Sequence, residues 1–130
     1  MKPSILIVDD EKVICEGLAR YLSDSYTTYQ AYDGIQAIDM VTNNRDLDVI
    51  LCDLKMPGMD GIDLISRIRS ANKNVSMIII TAAAPQNVCA AMKNGANGFL
   101  VKPIDLDQLM ISLKNAINSN KETTENAAYS

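Results

Sequence analysis

The run Val49-Ile50-Leu51-Cys52-Asp53-Leu54-Lys55-Met56-Pro57-Gly58-Met59-Asp60-Gly61 passes from apolar to acidic in a single step. Four apolar residues lead into Asp53, and then a proline and two glycines stop the strand and turn the chain. Read as a strand buried on both faces, over residues 47 to 52, the run delivers Asp53 to the rim of a sheet. A lone aspartate at a strand end is readily a turn or helix-cap residue. Its meaning depends on what else the chain brings to that rim.

Four further strands are expected on the same pattern. Ser4-Ile5-Leu6-Ile7-Val8 is a continuous apolar run ending in Asp9-Asp10-Glu11. Residues 25 to 32, rich in Tyr and Thr, form an edge strand. Met77-Ile78-Ile79-Ile80 is fully buried and ends in Thr81, and Gly98-Phe99-Leu100-Val101 runs into Lys102-Pro103. Between them lie helical patterns: Ile14, Leu18, Tyr21 and Leu22 on one face of the first, and Ile35, Ala37, Ile38 and Val41 on the second. Ile62, Leu64, Ile65 and Ile68 make the stripe of the third. A short, weakly apolar fourth helix starts near Pro85 and is capped by Gly95. The fifth carries Leu106, Leu109, Met110, Leu113 and Ile117.

Strand and helix thus alternate five times, which argues an α/β fold with a parallel, doubly wound sheet. With right-handed crossovers the simplest strand order is 2-1-3-4-5, the flavodoxin-like topology, with its crevice at the C-terminal ends of strands one and three. Residues 1–118 form the domain. Residues 119–130 are polar and aperiodic, a tail or the start of a linker.

The 130 residues suit one domain, and 48% apolar content fills one core. A net charge of −4 argues against direct nucleic-acid binding or an anionic membrane surface. There is no apolar run of spanning length and no signal peptide. Cys15, Cys52 and Cys89 lie far apart with no metal spacing and read as small buried or half-buried residues of a reduced, cytoplasmic protein. The chain has no histidine, so histidine catalysis and histidine metal sites are excluded.

In a parallel sheet all strand ends face one way. Asp9, Asp10, Asp53, Thr81 and Lys102 therefore converge on one rim. Singly, each has an ordinary explanation as a cap, a strand end or a solvated charge. Jointly, three carboxylates repel one another and call for a cation, a proton or the lysine. A hard divalent cation fits best, and Mg²⁺ keeps waters and shares sites with phosphate. Asp53 then becomes a plausible nucleophile toward phosphorus. Mg²⁺, the Lys102 ammonium and the Thr81 hydroxyl would surround the phosphoryl oxygens. An ionised carboxylate needs no general base.

Asp9-Asp10 after a buried strand, Asp53 with Met56-Pro57-Gly58-Met59-Asp60-Gly61, Thr81-Ala82 and Lys102-Pro103 together resemble the receiver domain of two-component response regulators. The resemblance covers residues 4 to about 118. It implies that Asp53 accepts a phosphoryl group from a phosphohistidine on a sensor histidine kinase or phosphotransfer protein. It implies Mg²⁺ ligation by Asp10, Asp53 and the Lys55 carbonyl, with Asp9 directly or through water. Lys102 would pair with the phosphorylated Asp53, Thr81 would bond the phosphoryl group, and Phe99 would follow it inward as the switch aromatic. Lys102-Pro103 would be cis. Position 99 is Phe where many members have Tyr, so a phenolic switch bond is absent. Lys55 and Ala83 stand at positions that tune phosphoryl lifetime and offer no acidic or amide group there.

The expected output face is the fourth helix, fifth strand and fifth helix. The loop Ala82-Ala83-Ala84 and the sparsely apolar fourth helix make that segment cheap to shift. Kinase docking is expected around the rim, at Ile14, Pro103 and Ile104. The chain is expected to act alone or as the receiver of a longer regulator, with a target protein, an attached output domain or a phosphorylation-driven homodimer downstream. Three rival readings fare worse. A flavodoxin would need a phosphate-binding loop where Asp9-Asp10-Glu11 stands, and aromatics to sandwich the flavin, whereas the chain has no Trp and only one Phe. A small-molecule phosphatase would need a cap insertion. A degenerate receiver would not keep Asp10, Asp53, Thr81 and Lys102 together.

Overall fold

The computed structural model describes the backbone of residues 2–44, 46–55, 60–82 and 85–129, and the side chains of these except 85–87 and 120–129. Five strands alternate with five helices: β1 (Ser4–Val8), α1 (Lys12–Leu22), β2 (Thr27–Ala31), α2 (Gly34–Asn43), β3 (Val49–Asp53), α3 (Gly61–Ala71), β4 (Ser76–Thr81), α4 (Pro85–Lys93), β5 (Gly98–Val101) and α5 (Leu106–Tyr129). The sheet order is β2-β1-β3-β4-β5, and every pairing is parallel, as the alternation predicts.

The continuous apolar runs are explained by burial on both faces. On one face Leu6, Val8, Ile50, Cys52, Met77 and Ile79 pack with Ala37, Val41, Leu64, Ile65 and Ile68. On the other Ile5, Ile7, Val49, Leu51, Ile78 and Ile80 pack with Cys15, Leu18, Leu22, Leu109, Leu113 and Ile117. Successive residues of one strand therefore serve opposite cores. Each large aliphatic side chain so buried contributes about 1.5–3 kcal/mol.

Local sequence ends the helices where the fold needs it. Asp33 Oδ1 accepts from the Gln36 N–H at 2.7 Å, and Gln36 reaches back to the Tyr32 N–H at 2.8 Å, a reciprocal cap on α2. Asp60 caps α3 through the Ile62 N–H at 3.0 Å. Gly61 has no room for a side chain, because a Cβ there would lie 2.6 Å from the Leu54 carbonyl oxygen.

Five expectations are corrected. Tyr21 is half exposed and Cys15 takes its place in the buried stripe of α1. Ile35 and Leu106 are exposed rather than core, as is Cys89, which lies on the outer side of α4. The strand expected over 25 to 32 is shorter, at Thr27–Ala31. The helix expected to end near 118 runs on to Tyr129. The last difference follows from propensity: residues 119 to 129 contain neither Gly nor Pro, so nothing in them stops a helix already nucleated upstream.

Candidate phosphoryl-acceptor site

Asp9, Asp10, Asp53, Thr81 and Lys102 stand at the C-terminal ends of β1, β3, β4 and β5, so the parallel sheet brings them to one rim. Asp53 is the last residue of β3 and is 5% exposed. One carboxylate oxygen, Oδ1, accepts from the Lys55 N–H at 2.9 Å. The other, Oδ2, accepts from the Lys102 ammonium at 2.9 Å. The first bond is an Asx-type turn that fixes the carboxylate as the chain leaves the strand. The second is charge-assisted and largely shielded from solvent, which strengthens it.

Asp9 is also buried, and its Oδ1 accepts from the Glu11 N–H at 2.9 Å. Its carboxyl is held above the ordinary range, chiefly by burial and also by the charges of Asp53 and Asp10. The Glu11 N–H and Lys102 oppose that rise without cancelling it. Burial by itself would lower Lys102, but the bond to Asp53, with the charges of Asp53, Asp9 and Glu11, holds its ammonium above the usual value. Each of Asp9, Asp10 and Asp53 offers a carboxylate oxygen, and these oxygens lie within 4.8 Å of one another. Asp10 is exposed, so the cluster opens to solvent. An all-oxygen set of this kind, partly buried and partly wet, suits Mg²⁺, which retains water in its shell. Lys102 meets only one of the three carboxylates by a direct bond among the described residues, so room for a second cation remains.

Thr81 closes β4 and is buried. Its carbonyl accepts from the Lys102 N–H at 2.9 Å, tying the two strand ends together. The Lys102-Pro103 peptide is cis. Phe99 is 49% exposed and so lies outside the core in this conformation. Of the expected docking residues, Ile14 and Ile104 are half-buried and pack on the core beneath α1 and α5, while Pro103 is exposed. Residues 56–59, which carry part of the motif, and Ala83 and Ala84 of the expected switch loop lie outside the described residues.

Two features escaped the sequence pattern. Val13 is 83% exposed in the first turn of α1, one residue from Ile14, and widens the apolar rim. Arg69 makes bonds to carbonyls of several segments far from the rim. Helical periodicity points toward Val13 once Cys15 and Leu18 are taken as the buried face. Nothing local marks Arg69, because its partners are main-chain oxygens.

Comparison with known proteins identifies the family and the fold. A model of the response regulator receiver domain matches residues 5–114. Sporulation initiation phosphotransferase F of Bacillus subtilis (strain 168) is 38% identical over 116 residues, covering 88% of this chain and 93% of that protein. Response regulator MprA of Mycobacterium ulcerans (strain Agy99) is 31% identical over 132 residues, and this chain spans 56% of its length. The crystal structure of a response regulator receiver domain protein from Clostridium thermocellum superposes with a TM-score of 0.88 at 31% identity, covering 93% of this chain and 98% of that one. A CheY-like receiver domain protein from Methanospirillum hungatei JF-1 shares the fold at a TM-score of 0.89 and 22% identity, covering 95% and 99% of the two chains.

Proposed function

The chain belongs to the response regulator receiver family and is a receiver domain of two-component signalling; from that premise we propose that Asp53 is its phosphoryl acceptor. The observation that carries the assignment is the Asp53–Lys102 ion pair, 2.9 Å long, set beside the Asp9, Asp10 and Asp53 oxygens. A buried carboxylate held by a backbone N–H and an ammonium is a fixed nucleophile with a counter-charge already in place.

In the proposed step an Asp53 oxygen forms a bond to phosphorus as the phosphorus–nitrogen bond of the partner's phosphohistidine breaks. The electron pair leaves with the imidazole. Lys102 is aligned to compensate the charge on the phosphoryl oxygens, and the Thr81 hydroxyl to bond one of them. Asp9, Asp10, Asp53 and the Lys55 carbonyl would hold Mg²⁺, which supplies charge neutralisation to the transferring group. The same site would later lose phosphate to water, so the chain's chemistry is confined to its own carboxylate.

The donor is a sensor histidine kinase or phosphotransfer protein that docks on the rim formed by Ile14, Pro103 and Ile104, with Val13 beside them. Downstream, Thr81 and Phe99 couple the phosphoryl group to the α4–β5–α5 face, which acts on an attached output domain, a separate target or a second copy of the chain. Of the relatives, one is nearly the length of this chain and another about twice it, which supports a receiver acting alone or within a longer regulator. The chain is read as cytoplasmic, and no helix among the described residues is long and apolar enough to cross a membrane.

Intact mass after incubation with acetyl phosphate or phosphoramidate tests the proposal. One phosphate adduct is expected, requiring Mg²⁺ and lost in Asp53→Asn. An adduct that persists in Asp53→Asn, or none where a control receiver is labelled, would overturn it.

A further inference from the structure

Arg69 stands near the end of α3, on the side of the sheet where the strands begin. Its guanidinium reaches two loops, residues 72–75 between α3 and β4 and residues 95–97 between α4 and β5. Nε and Nη2 donate to the Gly95 carbonyl at 3.2 and 2.7 Å. Nη1 donates to the carbonyls of Asn72, Lys73 and Val75 at 3.3, 3.0 and 2.7 Å. Nη2 also donates to Asn97 Oδ1 at 2.9 Å. One planar cation thus ties the end of α3, the approach to β4, the end of α4 and the approach to β5.

The two residues it grips on the far side are themselves specialised. Gly95 has φ of +125°, and a Cβ at that position would lie 3.0 Å from the Arg69 Cγ. The position therefore requires glycine both for its backbone and for the arginine's approach. Asn97 exchanges bonds with Met77: its N–H donates to the Met77 carbonyl at 2.8 Å, and its Oδ1 accepts from the Met77 N–H at 2.8 Å. That pair extends the β4–β5 ladder one step beyond Ile78 and Gly98.

By contrast, the described side chains of α4, residues 88–93, anchor it thinly. Among its described side chains only Ala91 is fully buried. A helix with so little apolar anchorage is held mainly at its ends. Its C-terminal end is the one Arg69 holds, and its other end, Pro85, follows Thr81 on the rim side of the sheet.

We propose that Arg69 is the pivot of α4: it fixes the helix's C-terminal end and the start of β5, so that α4 turns about Gly95 while the β4–β5 register that aligns Thr81 with Lys102 is kept. That phosphorylation drives the turning rests on the receiver reading. The anchor itself does not, and it can be tested in the unmodified chain.

The chain carries its own probe. Cys89 lies on α4 and is exposed, whereas Cys15 and Cys52 are buried, so a thiol-reactive nitroxide labels α4 in the folded protein. We would compare the label's electron paramagnetic resonance spectrum and amide hydrogen exchange in the native chain, Arg69→Met, Arg69→Lys and Asn97→Ala. Arg69→Met should narrow the Cys89 spectrum and speed exchange across residues 88–98 at least tenfold, with exchange in β1 and β3 unchanged. Arg69→Lys, able to reach one carbonyl but not both sides, should fall between. Asn97→Ala should speed exchange only near the start of β5 and leave the Cys89 spectrum as in the native chain. If Arg69→Met does not fold, Arg69→Lys and Asn97→Ala decide. Unchanged label mobility in the arginine variants, or acceleration spread equally over β1 and β3, would overturn the proposal and make Arg69 a general stabilising residue.

Discussion

Asp53 and Lys102 are 49 positions apart in the chain and 2.9 Å apart in space. Lys102 is therefore the residue whose loss should tell most about the site. Lys102→Met keeps the length of the side chain and removes the charge. Phosphoryl uptake from acetyl phosphate should slow about a hundredfold, as when one transition-state donor is removed. The three cysteines make a separate residue-scale test. Burial, helped by the charge of Asp9, pushes the Cys15 thiol up from 9.0 to about 11. Burial, helped by the charges of Asp53 and Asp9, pushes Cys52 to about 12. Both thiols stay neutral in the folded chain at a pH where the unfolded chain ionises them. Stability should thus be complete below about pH 9 and fall as pH rises through 11, which denaturant midpoints at pH 8 and pH 10 would show. Iodoacetamide at pH 8 should modify Cys89 alone until denaturant is added. At this scale the rim was readable from sequence, because each of its residues directly follows or ends an apolar run. Val13 and Arg69 were not, since one needed the true face of α1 and the other is defined by carbonyls that carry no residue identity.

At the scale of elements, β5 and α4 differ from the rest of the fold. β5 is an edge strand, and Phe99 and Val101 are both more than 45% exposed. An aromatic outside the core next to a thinly anchored helix is suited to move inward. Phe99→Trp introduces a single tryptophan, since the chain has none. Its emission should shift to the blue on adding Mg²⁺ with beryllofluoride, an acyl-phosphate mimic; an unchanged spectrum would argue against an inward switch at this position. The start of α3 is closely packed by contrast. Gly61→Ala would force a Cβ to within 2.6 Å of the Leu54 carbonyl oxygen. It should cost about 1–3 kcal/mol in denaturant unfolding. The strands and helices were legible because continuous apolar runs and helical stripes carry the period of their element. The faces were less so. In α1 the largest apolar residue, Tyr21, suggested the buried stripe, whereas the smaller Cys15 fits the close contact with β1 through its bond to the Ile7 carbonyl at 3.4 Å.

For the whole molecule, one sheet divides two cores, and each strand feeds both. Among the described side chains of α5 the last deep anchor is Ile117, after Leu109 and Leu113. Residues 1–118 should therefore fold alone, with an unfolding midpoint within a few degrees of the full chain and the same phosphate uptake. The topology was legible because strict alternation and right-handed crossovers leave few arrangements. The extension of α5 to Tyr129 was not, because hydrophobic periodicity is the signal used, and residues 119 to 129 carry none in their sequence. The central claim is that this fold brings Asp53 to the rim as the acceptor. The most direct measurement traps the phosphorylated chain with borodeuteride, which reduces an acyl phosphate to an alcohol, and locates the product by peptide mass spectrometry. Homoserine at position 53 and nowhere else is the predicted result. Homoserine at another aspartate, or none in a chain shown to carry phosphate, would contradict it.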